Sequence, residues 1–186
     1  MSQDVPDCQI SKRLVDFSIK KFASRDFPCD VESHALKLIL NSLGLMLAGS
    51  TFDISKDVIS LYEEKKLIND SNNISIIGFS KKASTIISAK INSILANQTE
   101  FDETSMTALV HPSSIILSTA LALGEEYNAS GADVFYSYCI GIEIFVRLGA
   151  AFRDDHLYGF YNPTVVGPLA SSITAGLLMG LDKKSF

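Results

Sequence analysis

The chain has 186 residues, 47% of them hydrophobic, and a mean hydropathy of +0.22. That is enough apolar material for one domain with a substantial core, with some left over for an oligomer interface or a partner domain. A net charge of -5 and a pI near 5.1 exclude nucleic acid as the natural partner, because a polyphosphate needs a basic face.

Lys81-Lys82 and Lys183-Lys184 are ordinary solvated pairs. Cys8, Cys29 and Cys139 form no C-x-x-C pair and leave an odd thiol, so they read as reduced thiols of a cytoplasmic protein. The N-terminus is acidic and lacks the Arg-rich pattern of a transit peptide. Residues 157–181 carry no charge, yet Pro163, Pro168 and four glycines fall among them. A buried helix after a loop fits that stretch better than a membrane span, and no membrane partner is expected.

Taken in order, the chain shows no internal repeat. A first helix begins near Ser11, with Leu14, Phe17 and Phe22 on one side, and breaks at Arg25-Asp26-Phe27-Pro28. Val31, Ala35, Leu38, Ser42 and Leu45 recur at steps of four and three. Leu36, Leu40, Leu43 and Leu47 fill the opposite side, which predicts a central helix, apolar nearly all round, ending at Gly49-Ser50. Ile54, Val58 and Leu61 mark a third helix. Ile74-Ser75-Ile76-Ile77, stopped by Gly78, is the only good strand candidate.

Helix resumes near Ala83 and runs into an acid-rich loop. Pro112 suits the first turn of the next helix. Ser130-Gly131-Ala132-Asp133 has capping-box spacing ahead of a long apolar helix. The last helix carries Gly167, Ser171 and Ala175 four apart, small residues that admit a close neighbour. The expected class is all-α, a single helical domain over residues 1–186 with at most one short β element near 74–78.

The chemistry concentrates between Asn97 and His111. Glu100, Asp102 and Glu103 crowd together, Thr104 follows, and one of three histidines, His111, closes the loop. Crowding raises the pKa of at least one carboxylate, and a histidine carries protons near neutrality without help. The same residues also suit a solvated loop in which Asp102 caps a turn and His111 caps the next helix. A metal would find only one histidine there, against the several His or Cys ligands zinc takes, so none is expected.

A second polar loop holds Arg153, Asp154, Asp155, His156, Tyr158 and Asn162-Pro163-Thr164. His156 there reads as a surface residue and Thr164 as the N-cap of the final helix. Glu143 and Arg147 have ion-pair spacing on one helix, and Cys139 reads as core.

These pieces, in this order, resemble the MmgE/PrpD family, which includes 2-methylcitrate dehydratase and cis-aconitate decarboxylase. The matching residues are the early Leu-Val-Asp-Phe, Leu-Ile-Leu-Asn-Ser-Leu-Gly with Leu-Ala-Gly-Ser, and Glu100-Phe101-Asp102-Glu103-Thr104. His111-Pro112-Ser113, Gly141-Ile142-Glu143, Arg147-Leu148-Gly149 and Asn162-Pro163-Thr164 to Gly167-Pro168 complete them.

The resemblance implies a helical domain that dimerises, a smaller α/β domain and site lysines beyond Phe186, and an active site near the junction. It implies removal of water or CO₂ from small di- or tricarboxylic acids with no organic cofactor. His111 matches the catalytic histidine and Thr104 the family threonine, with Glu100 and Asp102 as carboxylate partners. Thr104, Asn97 and Asn162 become the substrate-binding candidates.

Against the family pattern, Asn97 stands for a histidine, Glu100 for an aspartate, and Asn162 (or Tyr161) for a second-loop histidine. One extra residue separates Thr104 from His111. Three carboxylates with no lysine or arginine in the loop would repel a polyanion, so the expected lyase is incomplete on its own. The alternative is a catalytically silent helical dimerisation module, from a truncated or split gene, that pairs with itself or with a complete paralogue.

Overall fold

Apolar positions at steps of three and four become seven α-helices among the described residues, with one hairpin set between the third and fourth. The computed structural model describes residues 9–69, 73–153, 159 and 161–186. Asp154, Asp155, His156 and Tyr158 lie outside the described residues. The helices are α1 (Gln9–Ser24), α2 (Cys29–Gly49), α3 (Asp53–Glu64), α4 (Thr85–Asn97), α5 (Pro112–Glu126), α6 (Gly131–Ala151) and α7 (Asn162–Leu178).

The hairpin pairs β1 (Ile74–Ile76) with β2 (Lys81–Ala83) antiparallel, Ile74 opposite Ala83 and Ile76 opposite Lys81. The first strand lies where the isoleucines predict it. The second strand has no signal of its own in the sequence, because only Ala83 of Lys81-Lys82-Ala83 is buried and the tripeptide carries no alternation. Asn92 of α4 holds the hairpin, accepting from Ile77 N at 2.9 Å and donating to Ser75 O at 3.2 Å. Glu125 of α5 grips Ser75 from the other side, at its N–H and its hydroxyl, both 2.8 Å.

The centre of the domain is α5, not α2. Nine of the 15 residues of α5 are buried, among them Ile116, Leu117 and Ala120, and α4, α6 and α7 surround it. On α2 the residues Leu36, Leu40 and Leu47 are exposed, at 58, 73 and 54%. Its apolar residues on both sides did mark a helix. Only one side finds a neighbour, so the prediction of a central position fails.

Both later helices start as their sequences indicate. Pro112 opens α5. Ser130 and Asp133 form the reciprocal capping box of α6, with Asp133 N donating to Ser130 Oγ at 3.1 Å. Arg25 pairs with Asp133 across the fold, while Glu143 and Arg147 pair along α6. Helix α6 is long and apolar enough to cross a membrane. Here eight of its 21 residues are buried within the bundle. Cys139 is one of them, and burial pushes its thiol up to about 12.

The small residues of α7 serve the inside of the domain. Gly167 lies against Ile115 and Phe145, and Ser171 meets Thr119 of α5. Helix α6 approaches α7 closely too, for a Cβ on Gly141 would stand 2.2 Å from Thr174 Oγ1.

Candidate active site

The loop from α4 to α5 is held by its backbone before any side chain acts. Glu100 donates its N–H to Asn97 O at 3.0 Å and takes a φ of +54°. Further on, Ser105 N donates to Val110 O at 2.9 Å across a turn that puts Leu109 at φ +54°. Left-handed backbone costs a residue with a Cβ about 1 kcal/mol or more, so something must over-determine both positions.

At Leu109 that something is packing and one amide. Ala108 and Val110 are wholly buried. Ala108 presses so close to α6 that a Cβ on Gly149 would stand 2.9 Å from its methyl group. Asn162, in the first turn of α7, donates through Nδ2 to Ala108 O at 2.8 Å and to Gly149 O at 2.9 Å. One buried side chain thus ties the loop, the end of α6 and the start of α7 together.

On this frame three candidate residues converge around a fourth. The Asp102 side chain has no exposure at all, and its Oδ1 lies 3.6 Å from His111 Nδ1. Thr104 Oγ1 and the same Nδ1 share a hydrogen bond of 3.3 Å. Asn97 Nδ2 donates to both oxygens of Asp102, at 3.3 and 3.1 Å. With Nδ1 turned to Asp102 and Thr104, Nε2 is the nitrogen with no bond to a described residue. His111 occupies the N-cap position of α5, but its ring makes no capping bond.

The other candidates sit elsewhere. The Glu100 carboxylate is exposed and forms no hydrogen bond or ion pair with a described residue. Asn162 has its amide N–H groups committed to carbonyls, and its Oδ1 is buried without a partner. Tyr161, one residue earlier, is 64% exposed. Thr164 does not cap α7; its hydroxyl donates to Tyr161 O at 2.6 Å from inside the first turn.

Glu103 turns inward. Its Oε1 accepts from Ser113 N at 2.6 Å, at the start of α5, while Oε2 is buried unpaired. Burial holds its carboxyl above the usual carboxylate range. Beside it Ser113 Oγ and Tyr138 OH lie 2.6 Å apart, and burial raises the tyrosine likewise.

His111 opens into a cleft of about 770 Å³. One wall is α4, through Lys90, Ser93, Ile94 and Asn97. The facing wall is α7, through Thr164, Gly167, Pro168 and Ser171, and the start of α5 forms the floor. Each wall shows an i, i+3, i+4, i+7 face, the pattern of one side of a helix. Among the described residues lining the cleft there is no carboxylate, and Lys90 is the one lysine or arginine.

The expected acid-rich wall is therefore not built: Asp102 is enclosed, Glu103 faces the core, and a lysine arrives from α4. Sequence reasoning passed over Lys90. Its spacing from Asn97 was the available signal, but nothing local said which face of α4 would line a cavity.

The fold and cleft define an all-helical domain whose site presents a carboxylate-backed histidine and one lysine, a set suited to proton transfer on an anion. The chain belongs to the MmgE/PrpD family: the family's N-terminal domain matches residues 12–186. Members of the family are generally lyases. No curated protein matches the chain.

Proposed function

We propose that the chain is a lyase-type member of its family, acting on a small di- or tricarboxylic acid by proton transfer without an organic cofactor. His111 carries the proton, Asp102 orients it, and Thr104 and Asn97 hold the pair. The observation that supports this is the position of His111 on the floor of the cleft with its Nδ1 3.6 Å from a fully enclosed carboxylate. A proton on Nδ1, facing Asp102, leaves Nε2 basic and free to meet a ligand. When Nε2 takes a proton, the nearby anion stabilises the imidazolium.

Dehydration removes a proton from the carbon next to a carboxylate. The electron pair left behind forms the C=C bond, and the hydroxyl departs as water on taking a proton from the imidazolium. In decarboxylation the C–CO₂ bond breaks, its electron pair stays on carbon, and the imidazolium supplies the proton. One well-placed histidine serves either step, so the chemistry of the substrate separates the two reactions.

Purified protein incubated with 2-methylcitrate or cis-aconitate and followed by NMR is expected to show turnover, lost in His111→Ala. Thr104→Ala is expected to weaken ligand binding more than folding.

The second reading is a silent helical module that docks onto another copy or onto a complete paralogue. It is favoured by the exposed Leu36, Leu40, Leu47, Ile54 and Leu61 of α2 and α3. Stable self-association with no turnover would select it.

A further inference from the structure

We infer that Lys90 is the residue that receives a second carboxylate of the substrate and so sets the cleft's preference for acids bearing two or more. The inference rests on the acid/base reading of the cleft. Lys90 lies on the same face of α4 as Ser93, Ile94 and Asn97, and all four line the space above His111. Seven residues separate Lys90 from Asn97, about 10 Å along a helix axis. Asn97 in turn touches Asp102, the partner of His111. The reacting end and the cation thus stand at opposite ends of one wall.

Lys90 is available for this role. It forms no ion pair with a described residue; its Nζ is engaged by the Tyr62 side chain, 5.7 Å from the ring centre and hydrogen-bonded to it, a contact that raises the lysine's pKa. That is an exposed contact with a phenol, which a carboxylate can replace with a charge-assisted one. A lysine side chain reaches about 6 Å and turns freely, so it can fold back toward the middle of the cleft. A monocarboxylate held at His111 leaves that arm without a partner. An acid with a second carboxylate three or four bonds away can engage both. Between the two ends the described lining is hydroxyl groups and apolar carbons, with no carboxylate to repel the ligand. The cleft therefore reads the number of negative charges at one end and performs proton transfer at the other.

The test is binding, without turnover, of propane-1,2,3-tricarboxylate and of propionate to the full chain, followed by the NMR signals of His111 and Asn97. Wild type is expected to bind the tricarboxylate more tightly. Lys90→Gln should weaken it about fivefold, the scale of an exposed ion pair. Propionate affinity should be unchanged, and Lys90→Arg should restore most of the loss. Equal affinity of wild type and Lys90→Gln for the tricarboxylate would overturn the role of Lys90 alone. If neither acid perturbed the wild-type His111 and Asn97 signals, the acid/base reading would fall and the Lys90 inference with it.

Discussion

Asn97 holds Asp102 by both oxygens, at 3.3 and 3.1 Å, and so fixes a carboxylate that has no exposure to water. A buried anion without a donor is costly, and the 3.6 Å approach of His111 does not count as a hydrogen bond. Asn97→Ala is therefore expected to cost about 1–3 kcal/mol of stability. Urea denaturation checks this, and an unchanged midpoint would show that Asp102 needs no amide.

Asn162 is a structural tie before it is anything else. Replacing it with alanine leaves Ala108 O and Gly149 O without their donor. A loss of about 2 kcal/mol or more is expected. Tricarboxylate affinity measured well below the melting temperature should change little. A large loss of affinity at preserved stability would return Asn162 to the ligand.

Glu103 supplies a pH signature. Burial raises its folded-state value above the usual 4.5, so the folded protein holds this proton more tightly than the unfolded chain. The associated stability is fully present below about 4.5 and is lost as pH rises through the folded value. Glu103→Gln keeps an acceptor for Ser113 N and has nothing to ionise. Its melting temperature is expected to gain on wild type as pH rises from about 4.5 through the folded-state value. A constant difference across that range would contradict the burial argument.

Two glycines of α2 separate close approach from open space. A Cβ on Gly49 would stand 2.1 Å from Leu95 O, a backbone atom of α4 that cannot step aside. Gly49→Ala is expected to destabilise by about 3 kcal/mol. Gly44 meets nothing within 4 Å. Gly44→Ala is expected to stabilise by up to about 1 kcal/mol through helix propensity. Thermal melts of the two variants should move in opposite directions.

Self-association is expected through the exposed leucines of α2, not through the small residues of α7, which face α5 and α6. Leu36→Glu with Leu40→Glu should convert a dimer into a monomer in light scattering while leaving the helical signal intact. A monodisperse wild-type monomer would remove the proposed interface.

Local signals carried the helices. Pro112 at the first turn of α5, the Ser130–Asp133 box and the three-and-four spacing of apolar residues each act within one helix, where near neighbours in the chain dominate the energy. The grouping of Asp102, Thr104 and His111 was legible for the same reason: one loop holds them all. Glu100 shows the limit of that logic, since a left-handed turn leaves its carboxylate exposed and away from the pair.

The sequence by itself thus determined an all-helical domain of the MmgE/PrpD type and the loop where its chemistry gathers. Only the tertiary structure decided that α5 and not the leucine-rich α2 is central, that Asn162 braces backbone, and that Lys90 and His111 line one cleft. Burial and cavity lining depend on what packs from across the chain, and hydrophobic spacing within a helix carries no information about that neighbour.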